Sequence, residues 1–217
     1  MSTQESKSLS QQDVRENTAS TNIISGVPLT MMIIAFLWFA AAFALGFSGF
    51  LSTSSRFNGL FVVVPPVVFV LAFARLKSIQ TWAFAFETRT LVLLQSLRVA
   101  GIAFLAVYAA GKLNGPFALW AGLLDAAVGV SALFVAHSLT PPRTASQWGL
   151  LIGWMGVGIL DFFVAVPLAL VARVSDPTSM VALSFPPLSL ITTFAVPVAL
   201  IDYFILSAHL WRQRRQA

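Results

Sequence analysis

The sequence predicts an all-α polytopic membrane protein with about six transmembrane helices. Hydrophobic residues fill 58% of the 217 positions and charged residues only 10%, whereas a water-soluble domain carries about 25% charged residues. The apolar residues form long uncharged runs rather than alternating, which excludes a transmembrane β-barrel. Cysteine is absent, so disulfide scaffolds, cysteine-ligated zinc and thiol redox chemistry are excluded as well.

Each element follows from the spacing of charges. Residues 1–26 are rich in Ser, Thr, Gln and Asn and carry Glu5, Lys7, Asp13, Arg15 and Glu16. Such a segment buries too little apolar area to offset its ordering entropy and reads as a disordered polar tail. It has no basic n-region, and the apolar run after it is too long for a secretory signal. Residues 27–51 contain no ionisable group, enough for a hydrocarbon core that needs about 20 helical residues. The second span, 57–74, is the shortest, and Pro65 and Pro66 are expected to kink or break it. Residues 78–89 mix Trp82, Phe84 and Phe86 with polar side chains, as an interfacial segment does. The remaining spans are placed at 90–110, 117–137, 148–172 and 187–210, within a membrane domain of 27–211 that ends in a basic tail, 212–217.

Six spans put both termini on one side. Lys7, Arg15, Arg75, Lys77, Arg89, Arg143, Arg212, Arg214 and Arg215 fall there, against Arg56, Lys112 and Arg173 opposite. The positive-inside rule then makes both termini cytoplasmic. The terminal arginines read as an anchor on anionic head groups. No aromatic interleaving or binding module accompanies them, so nucleic acid is not an expected partner.

Arg98, Asp125, Asp161 and Asp202 all lie inside spans. A charge at the bilayer centre costs about 2.5–3.5 kcal/mol even on insertion scales, so these four form the expected polar site, by pairing or by function. Arg98 stands one turn beyond Gln95 on the third helix. Asp125 shares a face with Ala118, Ala121, Gly122, Gly129 and Ala132, a surface that allows close helix approach. Asp161 shares one with Trp154, Gly158 and Ala165, and Gly149 with Gly153 adds a further small-residue contact. Three acids and one arginine do not neutralise one another. They either lock packing or form a proton- or ion-responsive cavity.

His137 and His209 end the fourth and sixth spans. They are candidate axial ligands of a b-type haem, or simply caps of helix carbonyls. Pro167, Pro186, Pro187 and Pro197, with Thr192 and Thr193, predict bent helices of the kind transporters use for midplane sites. No lysine lies in a span for a retinal Schiff base, and no nucleophile-elbow, zincin or P-loop motif is present. The expectation is therefore a non-enzymatic carrier, sensor or assembly subunit. Its partners are the lipid bilayer and a second copy or membrane protein packed on small-residue faces.

A set of short patterns runs through residues 90–205: Arg98-x2-Gly101-x2-Phe104-Leu105, Gly111-Lys112-Leu113-Asn114-Gly115-Pro116-Phe117-Ala118, Ala121-Gly122-Leu123-Leu124-Asp125-x3-Gly129, Gly156-x-Gly158-x2-Asp161, and Thr193-Phe194-x-Val196-Pro197. Together they resemble an uncharacterised family of small bacterial multi-spanning proteins. The resemblance implies an inner-membrane protein of unassigned activity and supplies no catalytic residue. Asn114 stands where the family pattern has proline and Leu124 where it has glycine, and near Asp202 the pattern favours histidine.

Overall fold

The computed structural model describes residues 27–53 and 55–216, and the expected tail over 1–26 lies outside them. Among the described residues the chain is wholly helical, with no strand. It divides into two units, Met1–Trp38 and Phe39–Ala217. Of the first unit the structure describes the beginning of helix α1 (Val27–Phe47). Its Leu29, Met32, Ile33, Ile34, Phe36 and Leu37 are exposed apolar side chains.

The second unit takes in α2 (Ser55–Arg75), α3 (Lys77–Phe84), α4 (Thr88–Ala109), α5 (Gly115–Ser138), α6 (Ala145–Ser175) and α7 (Leu188–Arg215). Five helices, α1 and α4 to α7, are long and apolar enough to cross a membrane. The bent pair α2–α3 makes a sixth if it counts as one span. The expected spans therefore appear as helices, and the second is the one that differs in kind.

The break expected at Pro65–Pro66 falls elsewhere. α2 runs through both prolines, and the chain turns by 106° between α2 and α3. Proline's fixed φ is itself helical, so the pair removes only the donors for the Phe61 and Val62 carbonyls. The corner is made instead by Leu76, which is extended (φ −112°, ψ 108°). Gln80 staples it, its Nε2 donating to the Phe73 carbonyl at 2.8 Å.

Helix starts follow local chemistry. Asn114 accepts from the Phe117 amide at 3.3 Å, with Pro116 in the first turn of α5. Thr144 and Gln147 form a reciprocal capping box on α6. Beyond α6, the Ser179 hydroxyl and amide donate to the Asp176 carboxylate and hold it below the usual carboxylate range. In α7 a π turn, Ile191–Ala195, precedes Pro197, whose missing N–H leaves a carbonyl one turn back without its helical donor. Thr192 and Thr193 donate to the Leu188 and Ser189 carbonyls of the preceding turn. The arginines expected in a separate tail, Arg212 to Arg215, continue α7 as its last turns.

The small-residue face of α5 is consumed inside the chain. Ala118, Ala121, Gly122, Gly129 and Ala132 are all buried, and α5 packs most closely on α4. A Cβ on Gly129 would stand 2.5 Å from the Val99 backbone nitrogen. Among the described residues nothing lies within 4 Å of a Cβ built on Gly149 or Gly153, so that stripe makes no contact within the bundle. α6 turns that stripe away from its neighbours and packs through Leu151, Met155, Gly158 and Phe162 instead. Gly129→Ala should consequently lower stability by about 1–3 kcal/mol, because backbone cannot yield as a side chain does. Gly153→Ala should be neutral or slightly stabilising by helix propensity. Thermal unfolding of the two purified variants in detergent checks this, and equal midpoints would contradict the packing.

Candidate functional site: a buried arginine between two aspartates

Residues Gln95–Gly101 of α4 are wound as a 3-10 helix. Residues three apart eclipse in that winding, so Gln95, Arg98 and Gly101 stack on one face, and all three are buried. This converts an ordinary helix stripe into a single polar ridge.

Arg98 uses all three guanidinium nitrogens. Its Nε donates to Asp125 Oδ1 at 2.6 Å from α5, and its Nη2 donates to Asp161 Oδ2 from α6. Nη1 donates to the Gly158 carbonyl at 3.1 Å and to the Tyr203 hydroxyl at 3.0 Å, reaching α6 and α7. The Phe162 ring lies beneath the guanidinium, 4.5 Å from Cζ to centroid, a cation–π contact that strengthens once water is excluded. Arg98 is only 6% exposed, Asp125 6% and Asp161 1%. A planar fork with five donors can join three helices at once, which a lysine ammonium on a single flexible stem cannot.

Two glycines make the approach feasible. A Cβ on Gly101 would collide with the Asp125 side chain, and one on Gly158 with the Tyr203 hydroxyl. Each occurs within the patterns that the sequence offered, but their purpose is visible only in the packing.

The charges do not balance. One guanidinium faces two carboxylates, leaving one negative charge when all three are ionised. Asp125 and Asp161 also line a cleft of about 380 Å³, whose walls include Phe104, Phe117, Phe162 and Val166, with Arg173 farther along α6.

Asp202 is buried but apart from this triad. It accepts from Gln95 Nε2 at 2.5 Å, while the same amide donates to the Ala199 carbonyl at 3.3 Å. The two histidines separate. His137 is exposed near the end of α5, whereas His209 is buried with Nε2 2.9 Å from the Ala83 carbonyl and its ring beside Phe84. Among the described residues no group of three or more metal-ligating side chains of His, Asp or Glu type gathers.

Tyr203 and the Gln95–Asp202 bond escape a reading of the sequence. The signal available was weak: Tyr203 is one of two tyrosines in the chain and adjoins Asp202. Removing one partner of a buried pair strands the other charge, at about 3–5 kcal/mol. Arg98→Gln and Arg98→Lys should both fall in this range, and Tyr203→Phe should cost about 0.5–1.5 kcal/mol. Chemical or thermal unfolding in detergent measures all three, and a lysine variant of native stability would contradict the three-helix fork.

No curated protein and no solved structure matches the chain. Residues 53–210, which contain the whole arginine centre, match a domain of unknown function, DUF8737. The chain therefore belongs to the DUF8737 family.

Proposed function

We propose that this is a multi-pass membrane protein, with both termini cytoplasmic, that carries or senses a proton or small cation at Arg98, Asp125 and Asp161. The observation that carries the reading is the shared guanidinium: two buried carboxylates have one cation between them and both border the apolar cleft. A proton or a cation arriving at that cleft neutralises the excess charge, and its departure restores it. In the hydrocarbon interior the difference between those two states is large enough to bias helix packing. Apolar walls and an ionisable floor are the composition of a small-ligand site. The resemblance read from the sequence supports a bacterial inner membrane, and the lysine and arginine distribution supports the orientation. No residue is assigned a catalytic role.

The alternative is an interaction subunit that packs a partner or a second copy through small-residue faces. For it the α5 face is already buried against α4, and the Gly149–Gly153 stripe of α6 is the small-residue face left open.

Asp125→Asn and Asp161→Asn separate the two readings. Each removes one negative charge while keeping an oxygen that accepts from Arg98. In proteoliposomes carrying an internal pH dye, the wild-type protein should dissipate an imposed gradient faster than protein-free vesicles. Both variants should reconstitute in normal amounts and lose that excess rate. Wild-type rates in both variants, or no wild-type excess over empty vesicles, would refute the carrier. Loss of both variants from the membrane would favour the purely structural role.

A further inference from the structure

A second polar pair lies one 3-10 turn from Arg98 and has no part in the triad. Gln95 and Asp202 are 1% and 4% exposed. Gln95 Oε1 and Asp202 Oδ1 are both buried and both lack a hydrogen-bond partner within the protein. Buried acceptors left without donors are rare in folded proteins. Both residues line the same small cavity, of about 60 Å³, which also touches Arg98 and Asp125. A water's share of liquid volume is about 30 Å³, so the cavity has room for about one or two waters with polar partners on several sides.

Among the described residues, the charged and titratable groups that share the cavity with Asp202 or bond its neighbours come from α4 to α7, while α2 and α3 also pack on α7. These groups are Arg98 on α4, Asp125 on α5, Tyr203 on α7 itself and, through Arg98, Asp161 on α6. Among the described residues no cation bonds Asp202. Each nitrogen of Arg98 is held by Asp125, Asp161, Gly158 or Tyr203. Among the described residues the one side-chain donor on the Asp202 carboxyl is the neutral Gln95 amide. Toward the basic end of α7, Leu206 is fully buried between Asp202 and His209. These three share a helix face, so the carboxyl is closed on that side and open on the cavity side.

We propose that Asp202 and Gln95 form a proton-binding site, reached through water in the small cavity from the side of Arg98 and Asp125. A proton passes from a cavity water to Asp202 Oδ1: one O–H bond breaks on the water and one forms on the carboxyl. The water regains its proton from the Asp125 side, so charge and atoms balance. The protonated carboxyl is neutral, and a cavity water can donate to Gln95 Oε1. The site goes beyond the carrier reading, since it holds whether or not the protein moves a solute.

Infrared difference spectroscopy of the full chain in lipid vesicles, stepped in pH, tests it. The wild-type protein should show the carbonyl band of a protonated carboxylic acid that titrates with pH. Asp202→Asn should remove that band, and Asp125→Asn should retain it. Gln95→Leu keeps the carboxyl but removes its hydrogen-bond donor, so the band should shift. Ala195→Leu fills the cavity and should slow deuterium exchange of the band by about ten-fold or more. A spectrum in which Asp202→Asn removes no carboxylic-acid component that Asp125→Asn and Asp161→Asn retain, or in which Gln95→Leu leaves that component unmoved, overturns the site. Unchanged exchange in Ala195→Leu overturns the water link. A flux failure in the Asp125 and Asp161 variants leaves this band in place, so the two readings fail separately.

Discussion

The guanidinium of Arg98 is the constraint on which the arrangement of α4 to α7 depends. It sits on α4 and bonds α5, α6 and α7 in a single plane. Such a group tolerates little displacement, because each bond it loses strands a buried acceptor or charge. The 3-10 winding of Gln95–Gly101, the glycines at 101 and 158, and the ring of Phe162 all serve to hold it there. Apolar packing then fills the space on either side. Leu91, Met155, Leu206 and their neighbours form one cluster, and Phe104, Phe117, Leu183 and theirs another. On the membrane reading, lipid is as apolar as these side chains, so hydrophobic burial alone gives the helices little reason to choose one another. Polar bonds and close backbone contact supply the choice.

Much of this was legible in the sequence, and for a physical reason. An ionisable residue within an apolar run is costly unless it is paired, so Arg98, Asp125 and Asp161 marked themselves as partners before any coordinates. The uncharged runs likewise marked the helices, because a span is defined by what it lacks. The small-residue face of α5 was also readable, since close approach needs missing side chains. Other features were hidden. Gly149 and Gly153 carry the same spacing signal as a contact face, yet nothing packs on them. Spacing reports what a face permits, while the rotation of the helix decides whether it is used. Leu76 gave no sign that the chain would turn there, because the bend is fixed by a bond from Gln80 to Phe73 across the corner. Helical periodicity places Gln95 and Arg98 near one face, but the 3-10 winding that makes them eclipse comes from tertiary context.

The function read here follows from an imbalance rather than from a motif. A centre built solely to lock helices would be best served by matched charges or by apolar residues of the same shape, which are often the more stable choice. Here a second carboxylate is kept beside the first, on the border of a cleft. A third, Asp202, is held by an amide alone. On the proposed reading the protein retains acids that cost stability because two of them border the cleft and bind protons or small cations there. That arrangement is what separates this bundle from a passive one.

The most direct test of the shared guanidinium is a double-mutant cycle between Asp125→Asn and Asp161→Asn, read as unfolding free energies in detergent. The two carboxylates interact with each other directly and share Arg98 as their cation. If one cation serves both, the variants are coupled by about 1 kcal/mol or more. The second substitution then acts on an arginine whose charge balance the first has already changed. Additivity within about 0.5 kcal/mol would show two independent sites and contradict the account.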